Sequence, residues 1–321
     1  MPWGLRPSRV WKEETSMLFI GNQFRLTRPV LAAAVSLRRE ALVRQFARHQ
    51  VDAGANWLLV DMGPQHHDSA DSLAWLVQTI HSEVQVPLVL RSDDPKALEA
   101  GLEAAKDMIL IDATLPAVDD LAPYLKLAMK SRARLAISAC PEGLPVPTDE
   151  RVSRVTELLI PQVLEAGLPL EHLYVDPLVA ALTCDQPKVP ATVETLRLLK
   201  VAADPAPNTL VHLDDIADGV ADAARRFIVQ AYVTMLLASG VDALVGNFVD
   251  PALVDVLRVV QERDPSTVYD RLLLRLFDVT KVDGELDVAS IDASDPDQVS
   301  LFRTVQVLTN KLIYADSYLL A

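Results

Sequence analysis

WLLVDMGPQHHDSADSLAWLVQTIHSEVQVPLVLRSDDPKALEAGLEAAKDMILID, residues 57–112, holds three short apolar runs separated by two longer periodic segments. The runs are WLLVD (57–61), PLVLR (87–91) and MILID (108–112). Each is rich in Val, Ile and Leu and almost unbroken in apolarity, as strands buried on both faces are. Between them the apolar residues recur with helical spacing, and Asp94-Pro95 supplies a start signal: an acidic cap, then proline at the first helical position. The unit is therefore strand, helix, strand.

Outward from this stretch the same unit recurs. LFIGN (18–22) precedes it; RLAIS (134–138), LYVD (173–176), TLVHLD (209–214) and ALVGN (243–247) follow. From residue 22 to residue 246 is 224 residues over seven steps, or 32 per step, which is the length of a βα unit. Asp250-Pro251 opens another helix, and a helix over Ala217–Ser239 closes on Gly240, where glycine accepts the left-handed conformation. Eight such units predict an α/β fold, a (β/α)8 TIM barrel. A doubly wound open sheet is the rival, but no glycine-rich phosphate fingerprint follows an early strand.

The chain has 321 residues, 50% of them hydrophobic, with 30 basic and 44 acidic side chains and a net charge of −14. That balance argues against a nucleic-acid surface, which is usually basic. Cys140 and Cys184 cannot form a disulfide framework or a four-ligand zinc site. Residues 1–16 lack the apolar stretch of a secretory signal and read as a tail ahead of Met17. The most apolar later stretch, Phe227–Gly246, is interrupted by Gln230, Thr234, Gly240 and Asp242, so no membrane span is expected. A cytoplasmic protein is the default expectation. The domain expectation is a tail over 1–16, then a barrel over 17–321 with an insert at about 263–300. That insert, carrying seven aspartates between Asp270 and Asp297, reads as a helix over 266–278 and then a solvated acidic loop. It is too irregular for a calcium loop. The last segment, 300–321, reads as a helix returning to the barrel wall.

In a barrel of this kind chemistry sits at the carboxyl ends of the strands. Those ends carry Asn22, Asp61, Arg91, Asp112, Ser138, Asp176, Asp214 with Asp215, and Asn247, with Arg25 just past the first. Two uses compete. The set could line a pocket that hydrogen-bonds a polar heterocycle, or the same residues could cap the following helices while the arginines are locked in ion pairs. His66-His67 reads as a solvated turn, since adjacent histidines rarely face one metal. His212 reads as a core histidine rather than a base, and Cys140 has no partner that would make it a nucleophile. No metal site is expected.

Several stretches resemble the pterin-binding methyltransferases related to dihydropteroate synthase, and within them the methyltetrahydrofolate:corrinoid/iron–sulfur protein methyltransferases. They are MLFIGNQFR (17–25), RQFARHQVDAGANWLLVDMGP (44–64), DSLAWLVQTI (71–80), KALEAGLEAA (96–105), GLPLEHLYVDPLV (167–179) and TLRLLKVAADPAPNTLVHLDD (195–215). The likeness runs from about Met17 to Asp255 and resumes at Val307–Tyr318. It implies methyl transfer from a methyltetrahydrofolate-like donor to a corrinoid carried by a partner protein, and a homodimer. Among the site residues it implies, Asp176 retains the family aspartate and would bind the pterin amino edge. Asp112 stands for an asparagine, and Asp215 stands for the asparagine that reaches N5, which gives it the catalytic role. Arg91 replaces an aspartate, while Arg25 and Asp61 replace asparagines; with Asn247 they complete the substrate-binding set. The pocket thus departs from the family more than the framework does. Arg91 and Arg25 are expected either to pair with Asp61, Asp112 and Asp176, giving a non-catalytic binding or docking subunit, or to retune the barrel for another small anionic ligand.

Overall fold

The computed structural model describes residues 17–63, 69–105, 108–114 and 120–319. The predicted tail over 1–16 and the His66-His67 turn lie outside the described residues. Eight parallel strands close in sequence order: β1 (Leu18–Arg25), β2 (Trp57–Asp61), β3 (Leu88–Arg91), β4 (Ile109–Ala113), β5 (Arg134–Ser138), β6 (Leu173–Asp176), β7 (Asn208–His212) and β8 (Ala243–Gly246). Helices stand between them on the outside, and the fold is the (β/α)8 barrel that the repeat predicts.

Strand alternation divides the apolar residues into two cores. One side chain of each pair points into the barrel, where Ile20, Leu59, Val89, Leu110, Ala136, Tyr174, Leu210 and Val245 form an inner cluster. The other points outward to the helices, where Leu58, Leu90, Ile111, Leu135, Val175 and Leu244 join the larger core. Burial on both faces is why the runs read as continuously apolar. At the amino end of the barrel Arg134 lies over the rings of Trp57 and Tyr174, 5.6 and 5.8 Å from their centroids, and donates to the Tyr174 hydroxyl at 2.9 Å. A cation–π and hydrogen-bonded plug therefore closes the end opposite the candidate site.

The helix signals act as read. The Asp94 carboxylate accepts from Lys96 N and that of Asp250 from Ala252 N, both at 2.9 Å, ahead of helices Pro95–Ala104 and Pro251–Glu262. The helix before β8 spans Asp222–Ala238, shorter than expected at its start because Asp214–Ala217 forms a separate 3-10 turn; Gly240 follows at φ +82°.

Further boundaries differ from the expectation. β1 runs to Arg25, beyond Asn22, through a register shift between Gly21 and Phe24. Buried Gln50 makes that bulge possible, since its Oε1 accepts from Gln23 N at 2.9 Å. The insert helix is Val268–Lys281, not 266–278, because Thr267 and Asp270 make a reciprocal capping box there. The acidic stretch after it is mostly exposed, as expected, and it carries local anchors. Asp278 on the helix pairs with Arg263; beyond it Asp283 pairs with Arg197 and Asp297 with Arg226, while Asp287, Asp292 and Asp295 accept backbone N–H groups. Finally, the last helix is Pro296–Leu308, and Asn310 at φ +60° ends it; 309–319 is largely irregular. Gln186 fastens that segment, donating to Val307 O and Leu312 O and accepting from Tyr314 N. No helix among the described residues is long and apolar enough to cross a membrane.

Candidate functional site

One more step of the inward alternation places the polar residues. Beyond Leu59, Val89, Leu110, Ala136, Tyr174 and Leu210 come Asp61, Arg91, Asp112, Ser138, Asp176 and His212, each two residues on and so on the same inner face. Register keeps them level: Asp61 stands beside Arg91, Arg91 beside Asp112, and Ser138 beside Asp176. The result is a polar layer on top of the apolar one.

Within that layer charges alternate. Arg91 Nη1 lies 4.0 Å from Asp61 Oδ2, and its Nε 3.8 Å from Asp112 Oδ2. His212 Nε2 lies 3.3 Å from Asp112 Oδ2 and 3.9 Å from Asp176 Oδ2. The second oxygens are anchored locally. Asp61 Oδ1 accepts from Gly63 N, Asp112 Oδ1 from Thr114 N and Oγ1, and Asp176 Oδ1 from Leu178 N. Each of these three carboxylates therefore holds the turn that follows and faces the mouth. The helices after β4 and β6 start later, from Leu121 and Ala181, so Asp112 and Asp176 do not cap them as the competing expectation had it. A separate, tighter cluster lies on the β1 side, where Asp214 Oδ2 receives Asn22 Nδ2 at 2.7 Å and Arg25 Nη1 at 2.8 Å.

Burial and charge then set the protonation states. Burial would raise the Asp112 carboxyl, but Arg91, His212 and Thr114 overcome it and hold it below the usual carboxylate range. Burial dominates at Asp176, with Asp112 and Asp215 adding to it against His212 and Leu178 N–H; its carboxyl is pushed up to about 6. Burial by itself would lower His212, yet the Asp112 carboxylate raises it. Asp215 lies on the 3-10 turn after β7 and is exposed by area, while its carboxyl is crowded by the mouth. That crowding raises it against the pull of His212 and Arg25. The mouth thus holds one firmly ionised carboxylate, two that bind protons more readily, and an imidazole that favours its cationic form.

The contacts of Arg91 and His212 are ion-pair distances rather than aligned hydrogen bonds. Asn22 Oδ1, Arg25 Nε, Arg91 Nε, Asp112 Oδ2 and both His212 ring nitrogens are buried without a hydrogen-bond partner among the described residues. Groups of this kind are few in folded proteins, and their gathering in one mouth points to a polar ligand. Both donors and acceptors are present, as recognition of a heterocycle with an amide edge requires. Among the described residues no group of three or more His, Cys, Asp or Glu is placed to hold a metal ion.

Of the residues singled out from sequence, Arg91 meets Asp61 and Asp112 directly, while Asp176 joins them through His212 rather than pairing with Arg91 as expected. Asp215 adjoins them, and Arg25 does not pair with Asp61, Asp112 or Asp176 as expected, but with Asp214. Asn247 stands apart from the carboxylates, its Oδ1 accepting from the Gln23 side chain and from Val249 N. Cys140 is buried, which pushes its thiol up, and Sγ–H donates to Pro177 O, so it is no nucleophile. His212 is buried as expected of a core histidine, but it is not a satisfied one. It ends β7 and faces the mouth, and counting two residues on from inward Leu210 would have found it.

Comparison with known proteins gives likenesses of two kinds. The family model of the CO dehydrogenase/acetyl-CoA synthase delta subunit matches residues 24–145. The methylcorrinoid:tetrahydrofolate methyltransferase of Eubacterium limosum is 25% identical over 269 residues, covering 80% of this chain and 93% of that protein. Among solved structures, dihydropteroate synthase of Clostridium difficile, crystallised in the presence of pteroic acid, superposes with a TM-score of 0.61 at 17% identity, over 79% of this chain and 98% of that one. The Coxiella burnetii dihydropteroate synthase, in complex with pteroic acid, gives 0.57 at 15% identity, over 80% and 95%. At these identities the structural likenesses speak for the fold.

Proposed function

From the pterin-binding methyltransferase family, which the two sequence likenesses and the shared barrel support, we propose that this chain moves a methyl group between a folate and a corrinoid. The observation that carries the reading is the likeness to a methylcorrinoid:tetrahydrofolate methyltransferase across nearly its whole length. The gathering of unpartnered donors and acceptors at the mouth fits a pterin ring. We read residues 17–321 as one barrel with its insert, acting as a cytoplasmic homodimer that receives a corrinoid protein at the strand ends.

In this reading Asp176 and Asp112 accept hydrogen bonds from the pterin amino edge, while Asp61, Arg91, Arg25 and Asn247 line the remainder. The corrinoid, when bound, supplies the cobalt centre that gives up or takes up the methyl group. The methyl–N5 bond is hard to break because the leaving amine is basic. Asp215, whose carboxyl is raised towards its acid form, gives a proton to N5 as that bond breaks. In the opposite direction the Asp215 carboxylate takes the proton from N5. One residue therefore serves both directions, and the barrel positions the reactants.

A second reading has an observation of its own. Arg91 and His212 already face Asp61, Asp112 and Asp176, as in a barrel retuned for a small carboxylate-bearing ligand or a subunit that docks without catalysing. Calorimetric titration with tetrahydrofolate separates the two. The folate reading predicts binding below millimolar concentration, lost in Asp176→Ala. No heat at millimolar ligand in the wild type, with binding gained by Arg91→Asp combined with Asp215→Asn, would favour the second.

A further inference from the structure

Asp176 stands at the head of a segment whose three consecutive carbonyls are each held by a neighbouring element. Asp176 O accepts from Ala139 N at 2.7 Å, and Pro177 O from Cys140 Sγ at 3.5 Å. Leu178 O accepts from Thr192 Oγ1 at 2.8 Å and from Arg151 Nη1 at 3.2 Å. Leu178 needs this restraint, because at φ +63° it occupies the left-handed region that a bulky side chain rarely adopts. In that conformation its N–H donates to Asp176 Oδ1 at 2.8 Å.

Arg151, on helix Thr148–Ser153, is wholly buried. Its described partners are carbonyls and a hydroxyl: Val146 O at 2.7 Å, Leu178 O, and Thr192 Oγ1 at 3.4 Å. A guanidinium removed from water without a carboxylate partner is costly. It also joins the loop after β5 to the loop after β6, the two that meet over Asp176. Packing alone does not call for a cation there, since an apolar residue of similar length would fill the space.

We propose that Arg151 and Thr192 are positioning residues for Asp176. By holding the Leu178 carbonyl they keep Leu178 left-handed and its N–H on the Asp176 carboxylate, which leaves Oδ2 directed to the mouth. The ligand-binding part of the inference rests on the folate reading; the geometric part does not.

The test uses Thr192→Val, Arg151→Met and Arg151→Lys in the full-length protein. Carboxyl 13C NMR follows the Asp176 titration, its resonance identified by absence from Asp176→Asn. Loss of the clamp weakens the Leu178 N–H bond to the carboxylate, so the midpoint near 6 moves up by about one pH unit in Thr192→Val and Arg151→Met, with Arg151→Lys between. His212, Asp112 and Asp215, which also act on this carboxyl, are unchanged in every variant. Tetrahydrofolate affinity falls about tenfold alongside. An unmoved midpoint in Thr192→Val and Arg151→Met, with only a lower melting temperature, would overturn the proposal. Should Arg151→Met not fold, Thr192→Val decides, since valine keeps the shape. A wild type that does not bind tetrahydrofolate sinks the folate reading, and the titration still decides the clamp.

Discussion

Asp112→Asn removes the charge on which the mouth's two cations converge. Asp112 is fully buried, and its Oδ2 lies 3.3 Å from His212 Nε2 and 3.8 Å from Arg91 Nε. At an effective dielectric of about 20 those separations correspond to about 5 and about 4 kcal/mol of attraction. Only part appears as stability. Desolvation offsets much of it, asparagine keeps an oxygen for Thr114, and Asp61 and Asp176 remain at 4.0 and 3.9 Å. A net loss of about 3 kcal/mol is expected. At about 2.1 cal/mol/K of unfolding entropy per residue, that lowers the melting temperature by about 4–5 °C. The pH dependence is more telling. His212 has its folded value raised, so its share is fully present below the unfolded value of about 6.5 and fades as pH rises through the folded one. Asp112 itself stays ionised throughout that range, and so does Arg91. Urea unfolding of both proteins at pH 6 and pH 9 should therefore show the larger penalty at pH 6, by about 1–2 kcal/mol. An equal penalty at the two pH values, or a total below about 1 kcal/mol, would refute the charge network described for the mouth.

Asp176→Asn should stabilise the protein while weakening ligand binding. A carboxyl raised from 3.8 to about 6 favours folding below its unfolded value and loses that contribution as pH rises, about 3 kcal/mol at about 1.4 kcal/mol per pH unit. Urea unfolding should show the gain at pH 8 and none at pH 4. Gly21→Ala places a Cβ 2.5 Å from Gln50 Oε1, displacing the acceptor that holds Gln23 N in the β1 bulge; a loss of about 2 kcal/mol is expected by chemical denaturation. Asp94→Ala removes the cap on Lys96 N and should lower stability by about 1 kcal/mol on the same measure, leaving ligand affinity unchanged.

The barrel was legible because its signals are local and repeated. Apolar runs, Asp-Pro starts and the spacing between strands each follow from burial and backbone geometry within a few residues. Strand-end residues were legible as a set for the same reason, since alternation alone aims them at one mouth. Their partners were not. Asp214 takes Arg25 and Asn22 from 189 to 192 positions away in sequence, and nothing local distinguishes it from Asp215. Histidine in an apolar run suggests the core, and only the alternation from inward Leu210 turns His212 to Asp112. Arg151 carries no sequence signal at all. Its significance lies in Leu178, whose left-handed backbone becomes visible only when the loops after β5 and β6 are brought together.

The folate–corrinoid reading is tested most directly by methyl transfer itself. The purified protein is mixed with methyltetrahydrofolate and free cob(I)alamin, and methylcobalamin formation is followed by its absorbance. Protein-dependent conversion is expected, reduced about a hundredfold in Asp215→Ala and in Asp176→Ala. No conversion above the protein-free rate, from a wild type that also fails to bind tetrahydrofolate, would contradict it.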